Sequence, residues 1–121
     1  MKIYKCNICG NIITYLDDKG VVPVCCNEQM HELVPKNKDE LQEKHVPVVE
    51  TKDNVVTVKI GEVAHPMSNE HYIEWIILET DKAKYIRTLK PGCEPIASFV
   101  LHDEKPIKVY AYCNIHSLWS N

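Results

Sequence analysis

No stretch of this 121-residue chain is long and apolar enough to span a bilayer. No apolar h-region separates Met1-Lys2-Ile3-Tyr4 from Cys6, so no secretory signal is expected. Basic excess is missing too. Fourteen Lys and Arg stand against 17 Asp and Glu, giving a net charge of −3 and a pI near 6.0. That balance implies no face for nucleic acid or anionic lipid. There is no internal repeat, no low-complexity tract and no compositional sign of disorder, since 45% of the residues are hydrophobic. What remains is one domain, or a small domain beside a fuller one. The expected compartment is the cytoplasm, with neither membrane nor nucleic acid as partner.

Six cysteines and six histidines are the unusual content. In a reducing compartment clustered cysteines bind metal more often than they form disulfides. Cys6-Asn7-Ile8-Cys9-Gly10 is a tight turn whose two thiolates can face one ion, and Cys25-Cys26 supplies two more. A tetrahedral thiolate site suits iron or zinc, and the spacing does not decide between them. The adjacent second pair departs from the repeated two-residue gap of a zinc ribbon. A disulfide framework is the alternative. So short a segment buries little core, so a bound ion must contribute to its folding.

Lys36-Asn37-Lys38-Asp39-Glu40 is a polar cluster expected to form a linker or turn. Beyond it the chain breaks into short β-rich runs, and no segment keeps a helical period. Strands are expected near Val46–Glu50, Val55–Ile60, Tyr72–Glu79, Tyr85–Leu89, Ile96–Leu101 and Ile107–Tyr112. Asp53-Asn54, Gly61, Asp81-Lys82, Pro91-Gly92 and Asp103-Glu104 separate them. Alternation is clearest in Val55–Ile60, where Val56, Val58 and Ile60 share one face. The fold class read from this is mainly β: a small four-cysteine metal knuckle followed by an antiparallel β-sandwich of immunoglobulin type.

The histidines fall at strand ends or in loops. They occur in Glu43-Lys44-His45-Val46-Pro47, His65-Pro66-Met67, His71-Tyr72-Ile73-Glu74-Trp75 and Tyr112-Cys113-Asn114-Ile115-His116. Imidazole and thiolate together select a transition metal over magnesium or calcium. His31, His102 and the extra thiol Cys93 match no ligand motif and are expected to bind no metal.

Together with Cys6, Cys9, Cys25 and Cys26, these motifs resemble desulfoferrodoxin, the two-iron class of superoxide reductase. The likeness covers essentially the whole chain, in the family's order and at similar spacing. It implies a desulforedoxin-like iron-binding domain over residues 1–36, with iron on Cys6, Cys9, Cys25 and Cys26. It implies a catalytic β-sandwich over residues 37–121, where His45, His65, His71 and His116 form the equatorial plane of a second iron and Cys113 is its axial thiolate. Superoxide would be reduced there to hydrogen peroxide, with electrons from a rubredoxin-type donor, and the protein would be a homodimer. An axial thiolate pushes electron density toward iron, as in thiolate-ligated haem. Lys44, beside His45, would attract the anion, and Glu43 would cap the oxidised iron as a sixth ligand. A pure electron carrier and a redox-inert zinc module are the competing readings; neither needs five protein ligands with one position left open.

Overall fold

A computed structural model describes all 121 residues. The chain forms two compact units, Met1–Val34 and Pro35–Asn121.

The smaller unit has five short strands: β1 (Ile3–Lys5), β2 (Ile12–Thr14), β3 (Val24–Cys25), β4 (Glu28–Gln29) and β5 (His31–Glu32). β1 lies between β2 and β5, while β3 and β4 form a separate hairpin. Its apolar cluster is small: Tyr4, Cys6 and Met30 are buried, with Tyr15 and Cys25 against them. The β3–β4 hairpin explains the adjacent cysteines. Cys25 pairs with Glu28, leaving Cys26-Asn27 as a two-residue loop. Both loop residues have positive φ, 53° and 64°, as a type I′ turn requires. Asn tolerates that conformation, but at Cys26 the left-handed backbone costs roughly 1 kcal/mol.

The larger unit opens with one helical turn, α1 (Gln42–His45). Seven strands follow: β6 (Pro47–Lys52), β7 (Val55–Ile60), β8 (Ile73–Thr80), β9 (Lys84–Thr88), β10 (Ile96–Val100), β11 (Pro106–Cys113) and β12 (Ser117–Ser120). They make a three-stranded sheet, β10-β7-β6, and a four-stranded sheet, β12-β11-β8-β9. Every strand pairing is antiparallel. Alternate residues fill the core between the sheets: Val56, Val58 and Ile60 from β7, Ala97 and Phe99 from β10, Ile76 and Leu78 from β8, and Val109 and Ala111 from β11. Cys113 continues the inward series of β11 and is fully buried.

The expected strands match β6 to β11 to within two residues at each end. Two elements of the larger unit were not anticipated, nor were the five short strands of the smaller one. α1 is a single turn, too short for any hydrophobic period to register, and no side chain caps its N-terminus. β12 is four residues of an amphipathically ambiguous run, held by pairing to β11 and by Lys36, whose amide donates to the Leu118 carbonyl while its carbonyl accepts from Ser120.

α1 is located by close backbone contact. A Cβ on Gly61, just after β7, would lie 2.6 Å from the Glu43 carbonyl oxygen and 2.9 Å from the Lys44 carbonyl carbon. Main chain cannot rotate away as a flexible side chain can. Gly61→Ala should therefore destabilise the larger unit by about 1–3 kcal/mol, the usual cost of overpacking. Denaturant unfolding checks this; a variant as stable as the parent would show that α1 is not held by this contact.

Candidate metal centres

In the smaller unit the sulfurs of Cys6, Cys9, Cys25 and Cys26 all lie within 4.8 Å of one another. All are free thiols. Cys9 Sγ is 3.5 Å from Cys25 Sγ, and the Cys25 and Cys26 sulfurs are 3.9 Å apart. A tetrahedral ion with metal–sulfur bonds of about 2.3 Å sets its sulfurs about 3.8 Å apart, so this spacing fits a metal. Main-chain N–H groups of Ile8 and Cys9 point at Cys6 Sγ, and that of Asn11 points at Cys9 Sγ. The Cys9 and Ile8 amides hold the Cys6 thiol below its ordinary range. Cys26 is pushed up, because hydrogen bonding with the Cys9 and Cys25 sulfurs favours its protonated form. The first thiolate is thus supported by backbone, and further ones need a cation.

The second group is built where the sandwich strands end. His45 closes α1, His65 follows β7, His71 precedes β8, Cys113 ends β11, and His116 lies in the turn to β12. The donor atoms of His45, His65, His71 and Cys113 lie within 4.8 Å of one another. His116 joins them: its Nδ1 is 3.1 Å from His45 Nε2 and 3.8 Å from Cys113 Sγ.

The four rings form a closed cycle. Neighbouring centroids are 4.6 Å apart for His45–His65 and His65–His71, 5.0 Å for His71–His116 and 4.9 Å for His116–His45. Each neighbouring pair is edge-on, at 74° to 88°. His45 and His71 face each other across the cycle at 6.2 Å. The four rings thus surround one point.

The protonation pattern tests whether an ion fits. His45 Nδ1–H donates to the Leu41 carbonyl at 2.9 Å, and His65 Nδ1–H donates to the Pro66 carbonyl at 2.6 Å. Carbonyls only accept, so in the neutral rings Nε2 carries the lone pair. Yet His45 Nε2 and His65 Nε2 face each other at 3.1 Å. His71 Nε2 is buried with no hydrogen-bond partner. Lone pairs converging in this way are unfavourable alone and suited to a shared cation. Burial is the largest cause lowering the proton affinity of His45, His65 and His71, and it brings His65 down to about 4. The His45, His65 and His71 rings are therefore neutral donors near neutral pH. Burial raises the Cys113 thiol, and the amides of His116 and Ile115 act against it. The donor set, four imidazoles and a thiolate, suits iron.

Around the centre, Trp119 stacks on His45 with centroids 4.7 Å apart, and its Nε1–H donates to the His116 carbonyl at 3.1 Å. One buried side chain thus braces two of the histidines. β8 bulges at Glu74, since Tyr112 pairs with Trp75 but Cys113 pairs with Ile73; bulges commonly re-aim side chains next to sites. Lys44 is exposed on α1, and its charge contributes to lowering His71. The Glu43 carboxylate is outside the convergent donors and lines a cavity of about 520 Å³ with Gln42, Pro47 and Glu62. His31, His102 and Cys93 are exposed and stand apart from both groups. Trp119 and Gly61 were not signalled by any motif.

Two family models match. The desulfoferrodoxin model matches residues 37–121, and the desulfoferrodoxin N-terminal domain model matches residues 1–33. A desulfoferrodoxin homolog of Archaeoglobus fulgidus is 46% identical over 121 residues, covering 100% of this chain and 96% of the relative. The desulfoferrodoxin of Syntrophotalea carbinolica is 43% identical, covering 100% and 95%. The crystal structure of the superoxide reductase from Treponema pallidum superposes with a TM-score of 0.82 at 31% identity, covering 99% of this chain and 95% of that one.

The lowered histidines give the metal-free protein a defined acid response. His65 takes up a proton at about 4 when folded, against an ordinary value of 6.5. On acidification the unfolded chain is protonated first, so stability is full above about 6.5 and is lost as pH falls toward 4. Urea unfolding of metal-free protein at pH 7.5, 6 and 5 should show this decline beginning above the range where carboxylates titrate. A stability that is flat or rising over that interval contradicts the burial of neutral imidazoles.

Proposed function

The chain belongs to the desulfoferrodoxin family, and we propose that it is a superoxide reductase. The reaction adds one electron and two protons to superoxide to give hydrogen peroxide. The observation that carries this reading is the closed cycle of four imidazoles with the buried Cys113 sulfur beside it. We assign His45, His65, His71, His116 and Cys113 as ligands of one iron, and Cys6, Cys9, Cys25 and Cys26 as ligands of another. Iron held by the first of these sets would supply the electron and a place for a small anion to bind.

The remaining work falls to side chains. Leu41 and Pro66 carbonyls hold the His45 and His65 tautomers, so that Nε2 donors are ready without proton loss. Cys113 donates electron density from the core side, moderated by the amides of Ile115 and His116. Lys44 is exposed and acts on His71 electrostatically, so its ammonium can draw in superoxide and offset charge as peroxide forms. Glu43, next to Lys44 on α1, is assigned as the carboxylate that would cap the oxidised centre. Residues 1–36 serve as an iron-binding domain and 37–121 as the catalytic domain. A rubredoxin-type protein is the electron donor, the protein works as a homodimer, and its compartment is the cytoplasm. No helix is long and apolar enough to cross a membrane.

Two experiments test the assignment. Cys9→Ser should remove one iron per chain, with the loss of its ferric-thiolate bands, and leave most superoxide consumption. Abolition of the reaction in folded Cys9→Ser protein would mean that the four-cysteine centre is catalytic. In pulse radiolysis, Lys44→Ala should lower the bimolecular rate with superoxide and flatten its decline with ionic strength. Glu43→Ala should leave that first encounter nearly unchanged and alter only the oxidised spectrum. Equal slowing by both variants, with the same salt response, defeats the separate roles.

A further inference from the structure

His71 is the ligand candidate with the least regular support. It lies in the irregular segment between β7 and β8, with only a local turn around it. In that turn the Ser68 amide donates to the His71 carbonyl at 3.0 Å, and the His71 amide donates to Ser68 Oγ at 3.2 Å. Across the same turn the Ile73 amide reaches Met67 Sδ at 3.4 Å, which closes the loop on itself without reaching the Cys113–His116 turn. The strand ladder stops short of it: past a bulge at Glu74, Ile73 pairs with Cys113, and no pairing extends to His71 itself.

Asn114 bridges that gap. It lies directly after Cys113, and its carboxamide uses both ends on main-chain groups flanking His71. The Tyr72 amide donates to Asn114 Oδ1 at 3.0 Å, and Asn114 Nδ2 donates to the Glu70 carbonyl at 3.0 Å. The Asn114 amide adds a third bond, to the Tyr72 carbonyl at 3.2 Å. One planar side chain therefore brackets His71 from both neighbours. The chemistry is specific to an amide: aspartate keeps the acceptor but sets a carboxylate oxygen against the Glu70 carbonyl, and alanine loses both partners.

We propose that Asn114 is a positioning residue for the histidine–cysteine centre, locking the His71 segment to the turn that carries Cys113 and His116. The inference rests on the ligand set assigned above. It accounts for how an irregular loop presents a buried, unpartnered His71 Nε2 to the cycle without strand pairing of its own. Ligand orientation of this kind contributes to affinity and electronic tuning, and removing such a partner typically weakens metal binding about 10–100-fold.

The test uses iron-loaded full-length protein, in which the four-cysteine iron is an internal reference within the same molecule. Asn114→Ala should bind ferrous ion at the histidine–cysteine centre about 10–100-fold more weakly, by competition with a chelator. The reduction potential and oxidised spectrum of that centre should shift, while the four-cysteine bands stay as in the parent. Asn114→Asp, which retains the Tyr72 bond, should fall between parent and alanine and serves if Asn114→Ala folds poorly. A variant that loses stability when metal-free but keeps the parent's ferrous affinity, potential and spectrum would show Asn114 to be structural only, and overturn the proposal. If the parent protein takes up no iron at this centre, the ligand set itself fails, and the clamp with it.

Discussion

Lone pairs aimed at one another repel, and the larger unit is arranged around such a set. His45 Nε2 lies 3.1 Å from His65 Nε2, and His71 Nε2 is buried beside them without a partner. Without a cation the arrangement is a cluster of desolvated acceptors, each costing free energy. Only the apolar framework around it can hold the nitrogens there before an ion binds. The seven-strand sandwich does so by ending its strands at one place, and carbonyls of Leu41 and Pro66 fix which nitrogen points inward. Cooperation between fold and ion is the expected consequence: the protein bears the cost of convergence, and the metal relieves it.

The smaller unit meets a parallel constraint with less to work with. Its apolar cluster consists of Tyr4, Cys6 and Met30 with two partly buried neighbours, so one of the four metal-site sulfurs belongs to the core itself. Mutual repulsion among thiolates substitutes for the repulsion among lone pairs, and amide N–H groups can support only the first negative charge well. The left-handed Cys26 backbone adds strain to the same hairpin. A unit with so small a core cannot offset these costs by burial alone.

Legibility in the sequence followed from how local each signal was. Val55–Ile60 announced its inward face because alternation is a property of neighbouring residues. The cysteine and histidine motifs were visible because ligand type and spacing are local as well. α1 and β12 were not, since one turn and four residues carry no period. Gly61 was read only as a break, although its contact with the Glu43–His45 backbone depends on where β7 ends in space. Trp119 and the carboxamide of Asn114 escaped for the same reason. Their partners, His45 and the His71 flanks, are distant in sequence, and neither residue type is diagnostic of a metal site.

The division of the site into a core side and a solvent side has a chemical consequence. Cys113 extends the inward series Val109, Ala111, so its sulfur sits in the apolar interior with the Ile115 and His116 amides to stabilise negative charge. A thiolate so poorly solvated is a strong donor to a metal and a poor resting anion without one. Lys44 and Glu43 lie on exposed α1 instead. Their charges are screened when the site is open to solvent and act most strongly at short range. On the proposed reading, electron donation by Cys113 and attraction of the anion by Lys44 are therefore set by different dielectrics. Changes to the core around Cys113 should tune the former, and changes at Lys44 the latter, with little exchange between them.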